Sequence, residues 1–275
     1  MALNVRFGTA GVPISSQKSD TISGIARARV LGLEAMEVEF VRGVNMSIET
    51  AKKVGAAAKE HGIDLSVHAP YFINLASEKE QTIAESKARI IASLSRGAIM
   101  GARIVVVHAG FYGNDKNAGI RKIQNACTEL AEKIRKKNWN IILGIETSGK
   151  QGQFGTLSEI LDICKGIKEC APVIDFAHIY ARQGGHIDYV KVLDAVNEYK
   201  HLHCHFSGIH YSTVSLELGN ERSHEPIGNP QFAPLAREIL ARKLDITLIC
   251  ESPRLEEDAL KMKEIFEEES KIKTN

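Results

Sequence analysis

Short apolar runs alternate with helical segments of ten or more residues along almost the whole 275-residue chain. The runs at 5–7, 35–39, 65–68, 104–108, 141–146, 173–175, 201–205 and 246–251 read as strands. The helical patterns between and after them cover about 18–31, 47–61, 77–100, 115–137, 156–170, 188–198, 231–243 and 255–269. Local signals mark several boundaries: Ser47 as an N-cap with Gly62 as the stop, Ser77 or a neighbour as the third helix's cap, and Thr156 with Glu159 as a capping box. Strict alternation implies right-handed parallel crossovers, and eight such units close a (β/α)8 TIM barrel. No Pro/Gly/Ser-rich linker divides the chain, so one barrel domain over 1–275 is expected, with a polar tail, ESKIKTN, that frays.

Six metal-capable side chains close these runs or lie within a residue or two of their ends: His68, His108, Glu146, Asp175, His205 and Glu251. In a parallel sheet all six emerge at one end. Side chains ending so many strands favour a barrel over the alternative, a doubly wound open sheet, which gathers its site at one switch point. Glu146, Asp175 and Glu251 each follow an apolar strand, where a carboxylate is costly unless paired or metal-bound. The neighbouring strand ends offer histidines and carboxylates, not lysine or arginine. A bound zinc or manganese relieves the repulsion and suits nitrogen and oxygen donors.

Lone histidines at strand ends are more often structural, so the weaker candidates are judged together. His178 follows Asp175 by three residues and can reach the same rim. His224 lies in a long loop after the seventh strand. His201 and His203 share a face with His205 but sit deeper, as packing or supporting residues. Five cysteines form no CxxC pair and read as reduced packing residues.

With 35 basic against 34 acidic residues the chain carries no global nucleic-acid footprint, although a local rim or bound cations can still hold phosphate. The start lacks a secretion signal, and no uninterrupted apolar stretch reaches the roughly 18 residues of a membrane span. A cytoplasmic protein with no membrane contact and no obligatory protein partner is expected.

The stretches SVHAPYFINLAS, VVVHAGFYG, GIETSGKQGQFG, IDFAHIYARQG, HFSGIHYS with NERSHEPIG, and LICESPR resemble endonuclease IV. These are the zinc-dependent apurinic/apyrimidinic endonucleases of the xylose isomerase-like barrels, and the resemblance spans nearly the whole chain. It implies up to three zinc ions at the C-terminal mouth. His68 and His108 would bind the first, with Glu146 bridging to the second. Asp175, His205 and Glu251 would complete the second, and His178 with His224 would hold the third. The family's third site also uses an aspartate two residues before its loop histidine. That position is Arg222 here, and Glu221, one residue further away, could substitute only with a shifted loop. HFSG, where bacterial members usually read HLND, marks a divergent branch. Tyr71 and Arg42 match regions that touch DNA.

The implied reaction is phosphodiester hydrolysis at abasic sites in DNA, a base excision repair step, with zinc-bound hydroxide as nucleophile. Glu146 and Glu251 would be catalytic, orienting the hydroxide while ligating. The alternative is a sugar isomerase or ketose epimerase of the same superfamily. It would use Mn2+ or Mg2+ on the quartet Glu146, Asp175, His205 and Glu251 and would not need the other four histidines. A non-enzymatic binding barrel would show a broken first or second metal site, which this chain does not.

Overall fold

The computed structural model describes residues 3–272; Met1, Ala2 and the last three residues of the polar tail lie outside the described residues. Eight parallel strands close on themselves, so the expected (β/α)8 architecture is the one observed. In chain order the elements are β1 (Asn4–Ala10), α1 (Thr21–Val30), β2 (Ala35–Glu39), α2 (Ile48–His61), β3 (Asp64–His68) and α3 (Glu80–Met100). There follow β4 (Ile104–Val107), α4 (Lys116–Lys136), β5 (Ile142–Glu146), α5 (Leu157–Cys164), β6 (Cys170–Asp175), α6 (Phe176–Arg182) and α7 (Tyr189–Ala195). The chain ends with β7 (Leu202–Phe206), β8 (Gly208–Ser215), β9 (Leu218–Glu225), α8 (Phe232–Arg242), β10 (Asp245–Cys250) and α9 (Glu256–Ile272). Around the barrel the order is β1, β10, β7, β6, β5, β4, β3, β2.

Two of the three local boundary signals hold. Ser47 Oγ accepts from Thr50 N at 3.0 Å, and Gly62 stops α2 in the left-handed conformation at φ 65°. Thr156 and Glu159 form the reciprocal capping box of α5. Ser77, by contrast, does not cap α3. Its hydroxyl accepts from Lys79 N in a local turn, and Lys79 occupies the N-cap position without a side-chain bond.

Three elements were not expected. A short helix, α6, is inserted directly after β6. The loop after the seventh strand is instead an antiparallel hairpin, β8 and β9, pairing with itself and packing on α6. A stretch of alternating polar residues such as GNERSH has no apolar period to betray a strand.

Residues alternate between two environments along each barrel strand. One set, including Val105, Leu143, Ile174, Cys204 and Leu248, packs outward against the helices in the main core. The other points into the barrel. At the N-terminal end it forms an ionic layer, in which Arg6 meets Asp64 at 2.8 Å and Asp245 at 2.9 Å, and His201 Nδ1 stands 3.0 Å from Asp245. Ile104, Val106 and Val173 form a small apolar plug above it. The top layer is the strand-end set. All five cysteines are buried free thiols.

Candidate metal centre

Each polar residue of the top layer is held by the strand it terminates. Glu146 ends β5 fully buried, and four imidazoles surround its carboxylate. Oε2 lies 3.2 Å from His68 Nε2 and 3.1 Å from His108 Nε2, while Oε1 lies 3.3 Å from His178 Nδ1 and 3.2 Å from His205 Nδ1. His205 Nδ1 is also 3.2 Å from Glu251 Oε1. Asp175 ends β6 and caps α6, accepting from His178 N at 2.7 Å, so the capping bond itself fixes where His178 sits. The six strand-end residues and the two histidines His178 and His224 therefore meet at one mouth. Three overlapping donor sets result, each with its ligand atoms within 4.8 Å: His68, His108 and Glu146; Glu146, Asp175, His205 and Glu251; and Asp175, His178, His224 and Glu251.

The hairpin decides which neighbour of Arg222 or Glu221 enters the site. Ile209 pairs with His224 and His210 with Ser223, but Tyr211 then pairs with Glu221, leaving Arg222 unopposed in a bulge. A bulge of one residue inverts which face the following side chains occupy. Arg222 turns out to solvent, where its Nε donates to Ser212 Oγ, and Glu221 turns in, with Oε2 3.5 Å from His178 Nε2. Gly149 makes room for it: a Cβ there would stand 2.6 Å from Glu221 Cβ. His224 is steadied by Ser207, whose Oγ is 2.7 Å from its Nδ1.

Buried carboxylates and imidazoles set one another's charge at the mouth. Burial alone would raise the Glu146 carboxyl, yet His108, His205 and His178 hold it well below the usual range. Burial likewise lowers imidazoles, but Glu146 and Glu39 push His68 up to about 10, and the surrounding carboxylates raise His178 and His205 well above normal. Asp175 is raised to about 6, chiefly by burial, and its Oδ2 is buried without a hydrogen-bond partner. The protons held by these imidazoles offset the buried carboxylates. Divalent cations would take their place, and the donor set of imidazole nitrogens and carboxylate oxygens fits zinc or manganese. His108 is the exception, lowered to about 4 by burial, which leaves it a neutral imidazole as a ligand must be.

The mouth opens into a cavity of about 770 Å³. Tyr71 and Phe111 stand on its rim, 62% and 52% exposed, and Lys150 lines it with its Nζ 3.8 Å from Glu221 Oε1. Lys150 and Gln153 ride on a loop clamped by Arg182, which donates to the carbonyls of Ser148, Lys150 and Gln153. Arg42 does not line this cavity. It borders an adjoining groove formed with Val41, Gly43 and Asn45.

Sequence reasoning missed two carboxylates, Glu37 and Glu39, at alternate positions of β2. Glu39 lines the mouth, one oxygen buried without a partner, and burial raises it to about 8. Glu37 is fully buried one layer deeper, against His203 and His205. The signal was present in AMEVEF. Glutamates two apart in an amphipathic strand suggest a solvent face, but a closed barrel has none, so they must point into its interior.

The family described as xylose isomerase-like TIM barrel matches residues 25–271. The chain belongs to that family. Members of this xylose isomerase-like superfamily bind divalent metals, in keeping with the donor clusters here. An uncharacterized protein of Methanocaldococcus jannaschii is 37% identical over 95% of this chain and 97% of its own. A probable endonuclease 4 of Heliobacterium modesticaldum is 30% identical over 62% of each chain. Among solved structures, a D-tagatose 3-epimerase-like protein superposes with TM-score 0.74 at 20% identity over 97% of both chains. Endonuclease IV from Thermus thermophilus gives 0.72 at 22% identity over 97% of this chain and 99% of its own. At such identities these two show a shared barrel and do not separate the chemistries. Among the described residues, no helix is long and apolar enough to cross a membrane.

Proposed function

We propose that this barrel is a metal-dependent phosphodiesterase that cuts DNA at abasic sites, as an endonuclease IV-like enzyme of base excision repair. The observation that carries the reading is that donors flank the central quartet on both sides. His68 and His108 extend it through Glu146, and His178, His224 and Glu221 extend it through Asp175 and Glu251. A carbonyl-polarising enzyme needs the quartet alone.

Bound zinc would polarise the phosphodiester and make a nucleophilic water available near neutral pH. His68, His108 and Glu146 would hold one ion, Glu146, Asp175, His205 and Glu251 a second, and His178, His224 and Glu221 a third. Glu251, facing the cavity, accepts the proton of the attacking water, and Glu146 orients that water from below. Lys150 supplies a cation for backbone phosphate at the rim. Tyr71 and Phe111 offer flat apolar faces on which the bases beside the abasic gap can stack. A nucleotide without its base costs less to swing into the mouth than a paired one. Arg42, in the adjoining groove, contacts the flanking backbone.

The test is a duplex carrying one abasic analogue, incubated with zinc-reconstituted protein. Cleavage 5′ to the lesion, leaving a 3′ hydroxyl, is expected, with Glu146→Gln inactive. A second reading, a ketose epimerase using Mn2+, is supported by the quartet Glu146, Asp175, His205 and Glu251, whose donor atoms all lie within 4.8 Å without the outer histidines. Conversion of a ketose at its 3-position without nicking would replace the first reading with this one.

A further inference from the structure

Glu37 stands beneath the mouth between two imidazoles. Its Oε2 accepts from His203 Nε2 at 3.0 Å, and its Oε1 lies 3.0 Å from His205 Nε2. Glu37 Oε1 and His205 Nε2 approach to 3.0 Å without the alignment of a hydrogen bond, neither has a hydrogen-bond partner among the described residues, and Glu37 and His205 are wholly inaccessible to solvent. The opposite nitrogen of the same ring, His205 Nδ1, faces the carboxylates of Glu146 and Glu251 at 3.2 Å each.

A neutral imidazole has one N–H and one lone pair, and which nitrogen carries the proton follows from what the other meets. A carboxylate accepts and cannot donate. Glu37 therefore keeps the proton on Nε2 and leaves the Nδ1 lone pair directed at the mouth. His203 fixes the carboxylate in turn, since its Nε2–H occupies the oxygen that His205 does not. The three side chains are also a donor cluster within 4.8 Å, but it has no solvent-facing side: Glu37 and His205 are wholly inaccessible and His203 is 4% exposed, whereas the sets above open on the cavity.

We propose that Glu37 is a positioning residue that selects the tautomer and ring orientation in which His205 ligates metal, with His203 as its brace. The proposal deepens the functional reading and rests on His205 being a ligand. It also accounts for a fully buried carboxylate that, among the described residues, pairs only with His203 and His205.

The test compares zinc affinity, by competition with a chelating chromophore, for wild type, Glu37→Gln and Glu37→Leu. Glutamine keeps an acceptor for His205 and leucine keeps only volume. Glu37→Leu is expected to lose about 10–100-fold in affinity, as outer partners of ligating histidines typically do, and Glu37→Gln to recover most of it. A loss below about tenfold in Glu37→Leu overturns the proposal. Nitrogen-15 spectra of histidine-labelled, zinc-loaded wild type provide a check that needs no variant: the His205 proton belongs on Nε2, and finding it on Nδ1 overturns the assignment. Wild type that holds no zinc overturns both readings. Zinc held as expected, with the Glu37 effect present but no abasic cleavage, overturns the functional reading alone.

Discussion

Glu221 Oε2 lies 3.5 Å from His178 Nε2 although Arg222, not Glu221, is the residue two before His224. The bulge that sets Arg222 aside is what brings the carboxylate in. Glu221→Ala should therefore cost about one bound metal per chain, whereas Arg222→Ala should leave the metal content unchanged. Elemental analysis of the two variants decides the matter; loss of metal in the arginine variant would contradict the assignment.

Glu146 stands within 3.3 Å of four imidazoles and belongs to both of the first two donor sets, so Glu146→Gln should empty the first two sites together. The expected drop in zinc affinity exceeds the ~10–100-fold usual for losing a partner outside the ligand set. Calorimetric titration of zinc into the variant measures it, and nicking should fall in parallel.

The chelated protein should become less stable as pH rises. His68 has its folded-state value raised above the unfolded one, to about 10, so its contribution is complete below about 6.5 and disappears as pH climbs through 10. Asp175, raised to about 6, acts in the same sense: its stabilising protonated form is lost as pH rises from about 3.8 through 6. Melting curves between pH 6 and 10 in excess chelator should show a falling midpoint. Zinc should flatten the curve and release protons on binding, detectable with a pH indicator in weak buffer.

Tyr71 and Phe111 stand on the rim and belong to no donor set, although the Tyr71 ring packs beside His68 with centroids 6.0 Å apart. Replacing either with alanine should weaken abasic-DNA binding by about 1–3 kcal/mol per lost stack while leaving the metal content unchanged. Fluorescence anisotropy with a labelled duplex measures the first and elemental analysis the second. An unchanged Kd in both variants would place DNA elsewhere.

The barrel was legible because its period is strong: β2 runs over the residues expected, and most other boundaries differ by a few positions. Those differences fall where propensity is weakest, at strand starts such as Cys170 and at the frayed first turn of α3. The strand-end ligand candidates were legible for a related reason, since a carboxylate closing an apolar run is conspicuous. Glu37 and Glu39 were not, because their alternation with Met36 and Val38 looks the same in an exposed sheet and in a closed one. Only closure assigns them to the interior. The position of Glu221 was beyond sequence reasoning too: a one-residue bulge leaves no mark in composition, yet it exchanges which of two neighbours faces the site.

The hairpin bonds to itself rather than to the barrel strands, while carrying His224 and Glu221. His224, one of the four residues of the third donor set, and the neighbouring Glu221 thus sit on an appendage whose shortening or replacement would leave every rung of the barrel ladder intact. Such an arrangement would let the set of metal-capable donors change by grafting loops, without redesigning the scaffold. A chimera exchanging only 208–225 would be the smallest unit with which to convert one chemistry of this barrel into another.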